Sequence, residues 1–305
     1  MTSVSRFLGC MYGLAIGDAL GYPIEFQRAG PFAVTGLESA LYSDDTQMSL
    51  ATARGLISSK EHGDPTAQIY RSYVSWLAGQ SDPSNRRAPG NTCISALASG
   101  RMGTLDRKLN NSKGCGGVMR VAPIGLACIP KIAFQLGVEA AAITHSHPSG
   151  YLSAGFLSEL VASLSLGRGL NESLDGASET LAGWEGRFET ADKVAQARKL
   201  ARGPDSVEAS IALLGGGWVG EEALAIAVYC ALRFQDDLKA GVLASVKHGG
   251  DSDSTGCICG AILGTLLGIE AIPSDWVENV ENSDLLRSTA TRLHDCFADS
   301  RMASK

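Results

Sequence analysis

The 305-residue chain has no CxxC pair, no run of lysines and arginines, and no apolar stretch long enough to cross a bilayer comfortably. Each absence excludes something. Eight cysteines without zinc-like spacing read as reduced, mostly buried small hydrophobes, which points to a cytoplasmic protein. With a net charge of −6 and no basic run there is no face for duplex nucleic acid, although backbone N–H groups could still hold the phosphates of a nucleotide-like ligand. Phe7 to Gly17 resembles the apolar core of a signal peptide, yet Asp18 follows without a small-residue cleavage site and the periodicity continues through Leu20. A buried first helix is therefore expected, and no membrane partner. The apolar run Gly256 to Ile269 is also too short to span. Its Gly260, Gly264 and Gly268, four apart, suit a close helix crossing inside a core.

Period-2 alternation of useful length, a βαβ rhythm and internal repeats are missing too. An all-α fold of roughly a dozen helices is expected, with functional residues in the loops between them. Helical patterns cover Asp44 to about Ser59, Thr66 to Leu77, Asn91 to Ser99, Ile132 to Ala142, Ser153 to Leu166, Glu222 to Leu232 and Leu238 to Val246. The stripe Tyr70, Tyr73, Trp76 reads as core, residues 170 to 214 as peripheral helices, and the tail from Trp276 as one or two amphipathic helices.

What is present is acid in two similar places. Asp251 and Asp253 follow a Gly-Gly pair and precede Ser254, Thr255 and an apolar run, so they lie at a helix N-terminus, where negative charge is favoured. One such Asp alone would read as an N-cap. Far upstream, Ser43-Asp44-Asp45-Thr46 repeats the arrangement at the head of another helical segment. If the clusters meet, like charges about 5 Å apart repel by roughly 3 kcal/mol per pair at an effective dielectric near 20, and a cation has to be present. Oxygen donors of this kind suit Mg2+ or Mn2+ better than zinc. Glu25, between Ile24 and Phe26 in a turn-rich loop, reads either as solvent-facing or as part of such a site.

Asn110 to Leu126 contains a Ser-Lys-Gly-Cys-Gly-Gly lead-in that is expected to open a helix carrying Met119, Val121, Ile124 and Leu126. Consecutive N–H groups there would form an anion nest, although no Walker loop is present. Of the two histidines in Thr144-His145-Ser146-His147-Pro148, an H-x-H pair in a loop more often caps or packs than binds metal.

Together these blocks resemble the ADP-ribosylglycohydrolase family. The resemblance rests on GLAIGDALGYPIEF, YSDDTQMSLA, SKGCGGVMRVAPIGL, ITHSHP, GGGWVGEEALAIAVYC and HGGDSDSTGCICGAILG, spread over residues 9 to 268; SDDTQM combined with GGDSDSTG is the specific part. It implies a single all-α domain over 1–305 with a dinuclear Mg2+ or Mn2+ site in a central cleft. Ser43, Asp44, Asp45, Asp251, Asp253 and Ser254 would be the ligands, and Glu25 the loop glutamate near the metals. Ser112, Lys113, Gly114, Cys115, Gly116 and Gly117 would hold the diphosphate, and His145 would line the adenosyl-ribose side; His147 stays structural. The segment between Glu25 and Ser43 is shorter than is common in the family.

The implied reaction is hydrolysis of an N- or O-glycosidic ADP-ribosyl bond in a modified protein, arginine first, or in a small ADP-ribosyl compound. Glu25, Asp251 and Asp253 would be the catalytic carboxylates, and a monomer is expected. The acceptor would touch variable loops, Gln27 to Leu37 or Gln80 to Gly90. Three other readings compete. An EF-hand fails because its twelfth position is Ile262 where a glutamate is required. A DxDxT phosphatase would place its first Asp after an N-terminal strand, whereas Lys-His-Gly-Gly precedes it here. A non-catalytic ADP-ribose binder would be marked by loss of an acidic ligand, and none is missing.

Overall fold

The structure, a computed structural model, describes residues 3–27, 34–37 and 40–303. Among these it is all-α. The helices are α1 (Val4–Gly21), α2 (Asp44–His62), α3 (Pro65–Gly79), α4 (Asn91–Ala98), α5 (Ala122–Ala127), α6 (Pro130–Ala142), α7 (Pro148–Ser165), α8 (Leu170–Ala182), α9 (Phe188–Leu200), α10 (Val207–Leu214), α11 (Gly220–Arg233), α12 (Leu238–Val246), α13 (Ser252–Leu267), α14 (Ser274–Asn279) and α15 (Ser283–Phe297). The described residues hold no strand, only isolated bridges between Gly114 and Val219 and between Cys128 and Met302.

The centre is the pair α1 and α13. Both carry apolar and small residues around most of their circumference, the pattern of a helix enclosed by others. Every residue of α1 from Gly9 to Gly21 is buried. By length and composition α1 could cross a membrane, but 83% of its most apolar window is covered by the rest of the protein. The expected glycine stripe on α13 finds its partner in a second stripe on α1. A methyl group on Gly9 would lie 2.1 Å from Gly264 O, on Gly13 2.2 Å from Gly260 O, and on Gly17 2.0 Å from Gly256 O. Backbone therefore touches backbone along the seam. Because the pairs run in opposite chain directions, the helices are antiparallel, and the C-terminal end of α1 meets the N-terminal end of α13. At the other end Arg6 Nη1 donates to Leu164 O, Thr265 O and Leu266 O, each at 3.0 Å, which satisfies carbonyls that helix ends leave open.

The start of α2 is brought to the same end by Asp18. Its carboxylate accepts from Ser43 N (2.8 Å), Thr46 N (2.9 Å) and Thr46 Oγ1 (2.6 Å), capping α2 from another helix. Tyr73 and Trp76 are core residues and Tyr70 is half-buried, as the aromatic stripe predicts. One expectation is corrected. The glycine lead-in does not open an α-helix: Cys115–Gly117 form a 3-10 turn and α5 begins only at Ala122, so Met119 and Val121 precede it. Pro123 fits only the first turn of a helix, which fixes the later start.

Candidate active site

Three helix ends converge where the α1–α13 seam opens. The turn after α1 carries Glu25, the head of α2 carries Asp44 and Asp45, and the head of α13 carries Asp251 and Asp253; all five are buried. Carboxylate oxygens of Glu25, Asp251 and Asp253 lie within 4.8 Å of one another. The short segment after Glu25 does not prevent its carboxylate from reaching the cluster. Asp251 occupies the N-cap position of α13, yet its side chain makes no capping bond, so capping is not what places an acid there. Its backbone N–H donates to Gly216 O at 2.8 Å, which ties it to the Gly215-Gly217 turn ahead of α11.

The electrostatics are unfavourable as they stand. Burial first and then the neighbouring acids hold Asp44, Asp45 and Asp251 well above the ordinary carboxylate range, and burial raises Asp253. Burial, Asp253, Asp251, Asp44 and Asp18 push Glu25 up to about 10. Two buried oxygens, Glu25 Oε2 and Asp45 Oδ2, have no hydrogen-bond donor. Buried anionic oxygens without donors are strongly destabilising unless a cation or proton meets them. An all-oxygen donor set with unfilled acceptors fits a hard divalent ion.

A cleft of about 330 Å3 adjoins this cluster. Its walls include Glu25, Asp44, Asp45, Asp251, Asp253 and Ser254 on one side, and Gly114, Cys115, Gly116 and His145 on another. At its edge Phe26 stacks on Trp218, with ring centroids 5.8 Å apart and planes 23° from parallel. The loop leading into α4 supplies Ala88, Pro89 and Gly90, and Gly90 N donates to Asp44 Oδ2 at 3.3 Å.

Residues 1–302 match the profile of the ADP-ribosylglycohydrolase family. The chain belongs to that family. It is 29% identical over 293 residues to the ADP-ribosyl-[dinitrogen reductase] glycohydrolase of Rhodospirillum rubrum, covering 90% of each chain. It is 27% identical to the ADP-ribosylhydrolase ARH3 of Mus musculus, covering 98% of this chain and 93% of that one. A solved structure titled "ADP-ribosylglycohydrolase-related protein complex" superposes with a TM-score of 0.71 at 23% identity, over 96% of this chain and 98% of that one. The all-α architecture is thus that of ADP-ribosylglycohydrolases.

The remaining residues singled out from sequence divide into two groups. Ser43 is the N-cap of α2, its Oγ accepting from Asp45 N at 3.2 Å. Ser254 N donates to Asp253 Oδ1 at 2.9 Å, and the residue lines the cleft. Gly114, Cys115 and Gly116 also line it, whereas Ser112, Lys113 and Gly117 are absent from its walls. Gly114 N donates to Ser112 Oγ (3.3 Å) and Cys115 N to Trp218 O (3.2 Å), so two amides of the anticipated nest are already engaged. Lys113 Nζ pairs with Glu221 Oε1 (2.7 Å) and Glu189 Oε2 (3.2 Å). Cys115 turns its thiol to Asp251 Oδ2 at 2.7 Å. His145 is buried and lies against the glycine turn, and His147 caps α7 by accepting from Ser149 N at 3.2 Å. Of the two acceptor loops, Gln80 to Gly90 reaches the cleft through its last three residues, and residues 28–33 of Gln27 to Leu37 lie outside those described.

Sequence reasoning missed Asp18. Burial and then Asp253 push it up to about 7, and it orients the head of α2. Its signal was available: a lone acid inside the apolar pattern GLAIGDALG has to be buried with the helix. The aromatic pair Phe26 and Trp218 was missed as well, since two residues 192 positions apart give no local sign of stacking.

Proposed function

We propose that this chain hydrolyses the glycosidic bond joining ADP-ribose to a protein side chain, arginine before other acceptors, with two divalent ions, Mg2+ or Mn2+, as cofactors. The observation that carries this reading is the convergence of Glu25, Asp251 and Asp253 beside a cleft, with Glu25 Oε2 and Asp45 Oδ2 left without donors. Ser43, Asp44, Asp45, Asp251, Asp253 and Ser254 would hold the ions. When bound, such ions supply Lewis acidity toward the substrate's vicinal hydroxyls and lower the pKa of water.

The chain's own residues do the rest. Hydrolysis adds water oxygen to the anomeric carbon, breaks the bond to the acceptor nitrogen or oxygen, and returns one proton to the leaving group. Glu25 holds a proton next to the reacting position, and Asp251 or Asp253 orients the water. The anionic wall favours the positive charge that builds on the ribose as the bond breaks. Gly114, Cys115, Gly116 and His145 take the ADP portion on the facing wall, with Ser112, Lys113 and Gly117 supporting the turn from behind. The name of the Rhodospirillum rubrum relative, an enzyme for a modified protein, supports a protein acceptor.

A panel of ADP-ribosyl-arginine, ADP-ribosyl-serine and a small ADP-ribosyl compound, each assayed for released ADP-ribose with Mg2+, Mn2+ and EDTA, tests the proposal. Asp253→Ala is expected to lower release by at least about 10²–10³-fold while the circular dichroism spectrum stays helical. Near-normal turnover in that folded variant, or release undiminished by EDTA, would reject it.

A further inference from the structure

Arg120 is fully buried, yet none of its hydrogen bonds among the described residues goes to a carboxylate. Its guanidinium lies over the Tyr73 ring (4.2 Å to the centroid) and reaches Met48 Sδ, Cys93 Sγ, Ala140 O (3.3 Å) and Thr144 Oγ1 (2.7 Å). Thr144 Oγ1 in turn lies 2.9 Å from His145 Nδ1. A buried cation outside the acidic cluster and joined by one hydroxyl to a cleft histidine is not accounted for by metal binding or by bond cleavage.

We infer that Arg120 and Thr144 are positioning residues that fix His145 as a neutral imidazole with its hydrogen on Nε2, presented as a standing donor to an oxygen of the ligand in the cleft. The direction of each bond follows from what the groups can do. Arginine only donates, so Thr144 Oγ1 accepts from Nη2. The hydroxyl's own hydrogen is then free to point elsewhere, and the strong acceptor beside it is His145 Nδ1. Cys93 Sγ is the other neighbour, but sulfur is a weak acceptor and this one already receives Arg120 Nη1 at 3.4 Å. If Nδ1 instead carried the hydrogen, the buried hydroxyl would be left with sulfur alone. Nδ1 therefore accepts, and the hydrogen of the neutral ring sits on Nε2.

Among the described residues that nitrogen has no hydrogen-bond partner. His145 lines the cleft, and a methyl group on Gly114 or Gly116 would lie 3.4 or 3.3 Å from Nε2. The missing Cβ at both glycines is what leaves room for this ring edge against the turn. The charge state agrees with the geometry: burial and then the Arg120 cation press His145 down to about 3, so the ring stays neutral across the physiological range. An imidazole that cannot gain a second proton gives one fixed hydrogen bond, suited to a phosphate, hydroxyl or ring oxygen. The identity of that ligand as an ADP-ribosyl group rests on the function proposed above; the tautomer does not.

Two measurements test the inference. Long-range 1H–15N correlation on metal-free, ligand-free protein, with His145→Gln assigning the peaks, is expected to show His145 with a protonated Nε2 and a bare Nδ1, unchanged from pH 5 to 8. Thr144→Val is expected to lose that preference and Thr144→Ser to retain it. Titration with ADP-ribose is expected to show about 2- to 10-fold weaker binding in Thr144→Val than in wild type, the worth of one neutral hydrogen bond, with recovery in Thr144→Ser. A hydrogen on Nδ1, a ring that titrates near 6.5, or a Thr144→Val variant whose folded spectrum keeps the wild-type tautomer would overturn the relay. Equal ADP-ribose affinity in Thr144→Val and wild type would overturn the donor role. Wild type that binds no ADP-ribose would reject the functional reading of the cleft, and the spectra would still decide the tautomer.

Discussion

Along the α1–α13 seam, glycine backbones touch and each helix satisfies its own amides. Where the same two helices end, Asp18, Glu25, Asp44, Asp45, Asp251 and Asp253 are buried together, with Glu25 Oε2 and Asp45 Oδ2 lacking donors. The first region is packed for stability and the second works against it. The contrast shows how a fold tolerates an unfavourable site: the rigid pair over-determines where its ends lie, so repulsion between the acids cannot push them apart. Mutations on the two sides should therefore change stability in opposite directions.

The largest effect is expected at the seam. In Gly13→Val a Cβ would sit 2.2 Å from Gly260 O, a backbone atom that can retreat only if the helices separate. A loss of about 3 kcal/mol in urea unfolding is expected, at the upper end for overpacking. A loss below about 1 kcal/mol would mean that the seam yields and that the contrast with the site is weaker than the packing implies.

At the site, metal and pH should act together. Carboxyls in the unfolded chain titrate near 4. In the folded, metal-free protein Asp18 is pushed up to about 7 and Glu25 to about 10. Folded-state values above the unfolded ones mean that the native state holds the extra protons. Stability is then fullest below about pH 4 and falls as pH rises through about 7 and on toward about 10. The metal-free midpoint of thermal unfolding should thus be higher at pH 5 than at pH 8. Mn2+ at about 100 times its dissociation constant should add about 2.7 kcal/mol at pH 8, and less at pH 5, where protons compete. A metal-free midpoint that climbs from pH 5 to pH 8 would contradict the raised carboxyls.

How far these two regions could be read from sequence differs in kind. The acid clusters and the stripe Gly256, Gly260, Gly264, Gly268 are local patterns, and each survived in the structure. The matching stripe Gly9, Gly13, Gly17, Gly21 is equally regular, but it hides inside a run that resembles a signal peptide. Asp18 is hidden for the same reason, because in sequence it reads as the end of the apolar stretch and not as an acid carried into the core. The 3-10 turn before Ala122 was missed because the apolar spacing of Met119, Val121, Ile124 and Leu126 imitates a helix, although Pro123 limits where one can begin. The pairing of Lys113 with Glu221 and Glu189, and the reach of Arg120 to Thr144, depend on contacts between distant segments, which no local pattern encodes.

The sharpest form of the comparison is a substitution expected to remove the proposed activity and to add stability. Asp253 faces Asp18, Glu25, Asp44, Asp45 and Asp251, and it recurs among the charges that raise their pKa values. Asp253→Asn keeps the shape and removes one charge from the centre of the cluster. In the metal-free protein at pH 8 it is expected to gain about 0.5–2 kcal/mol, the usual range where a strained functional group is relieved. The gain should shrink at pH 5, where the neighbours hold protons and less repulsion remains to be lifted. Mn2+ should stabilise the variant less than it stabilises wild type. Thermal unfolding of both proteins at the two pH values, with and without Mn2+, measures all three differences. A destabilised metal-free Asp253→Asn would show that this carboxylate helps to hold the fold together, and the division between a stabilising seam and a costly site would not stand.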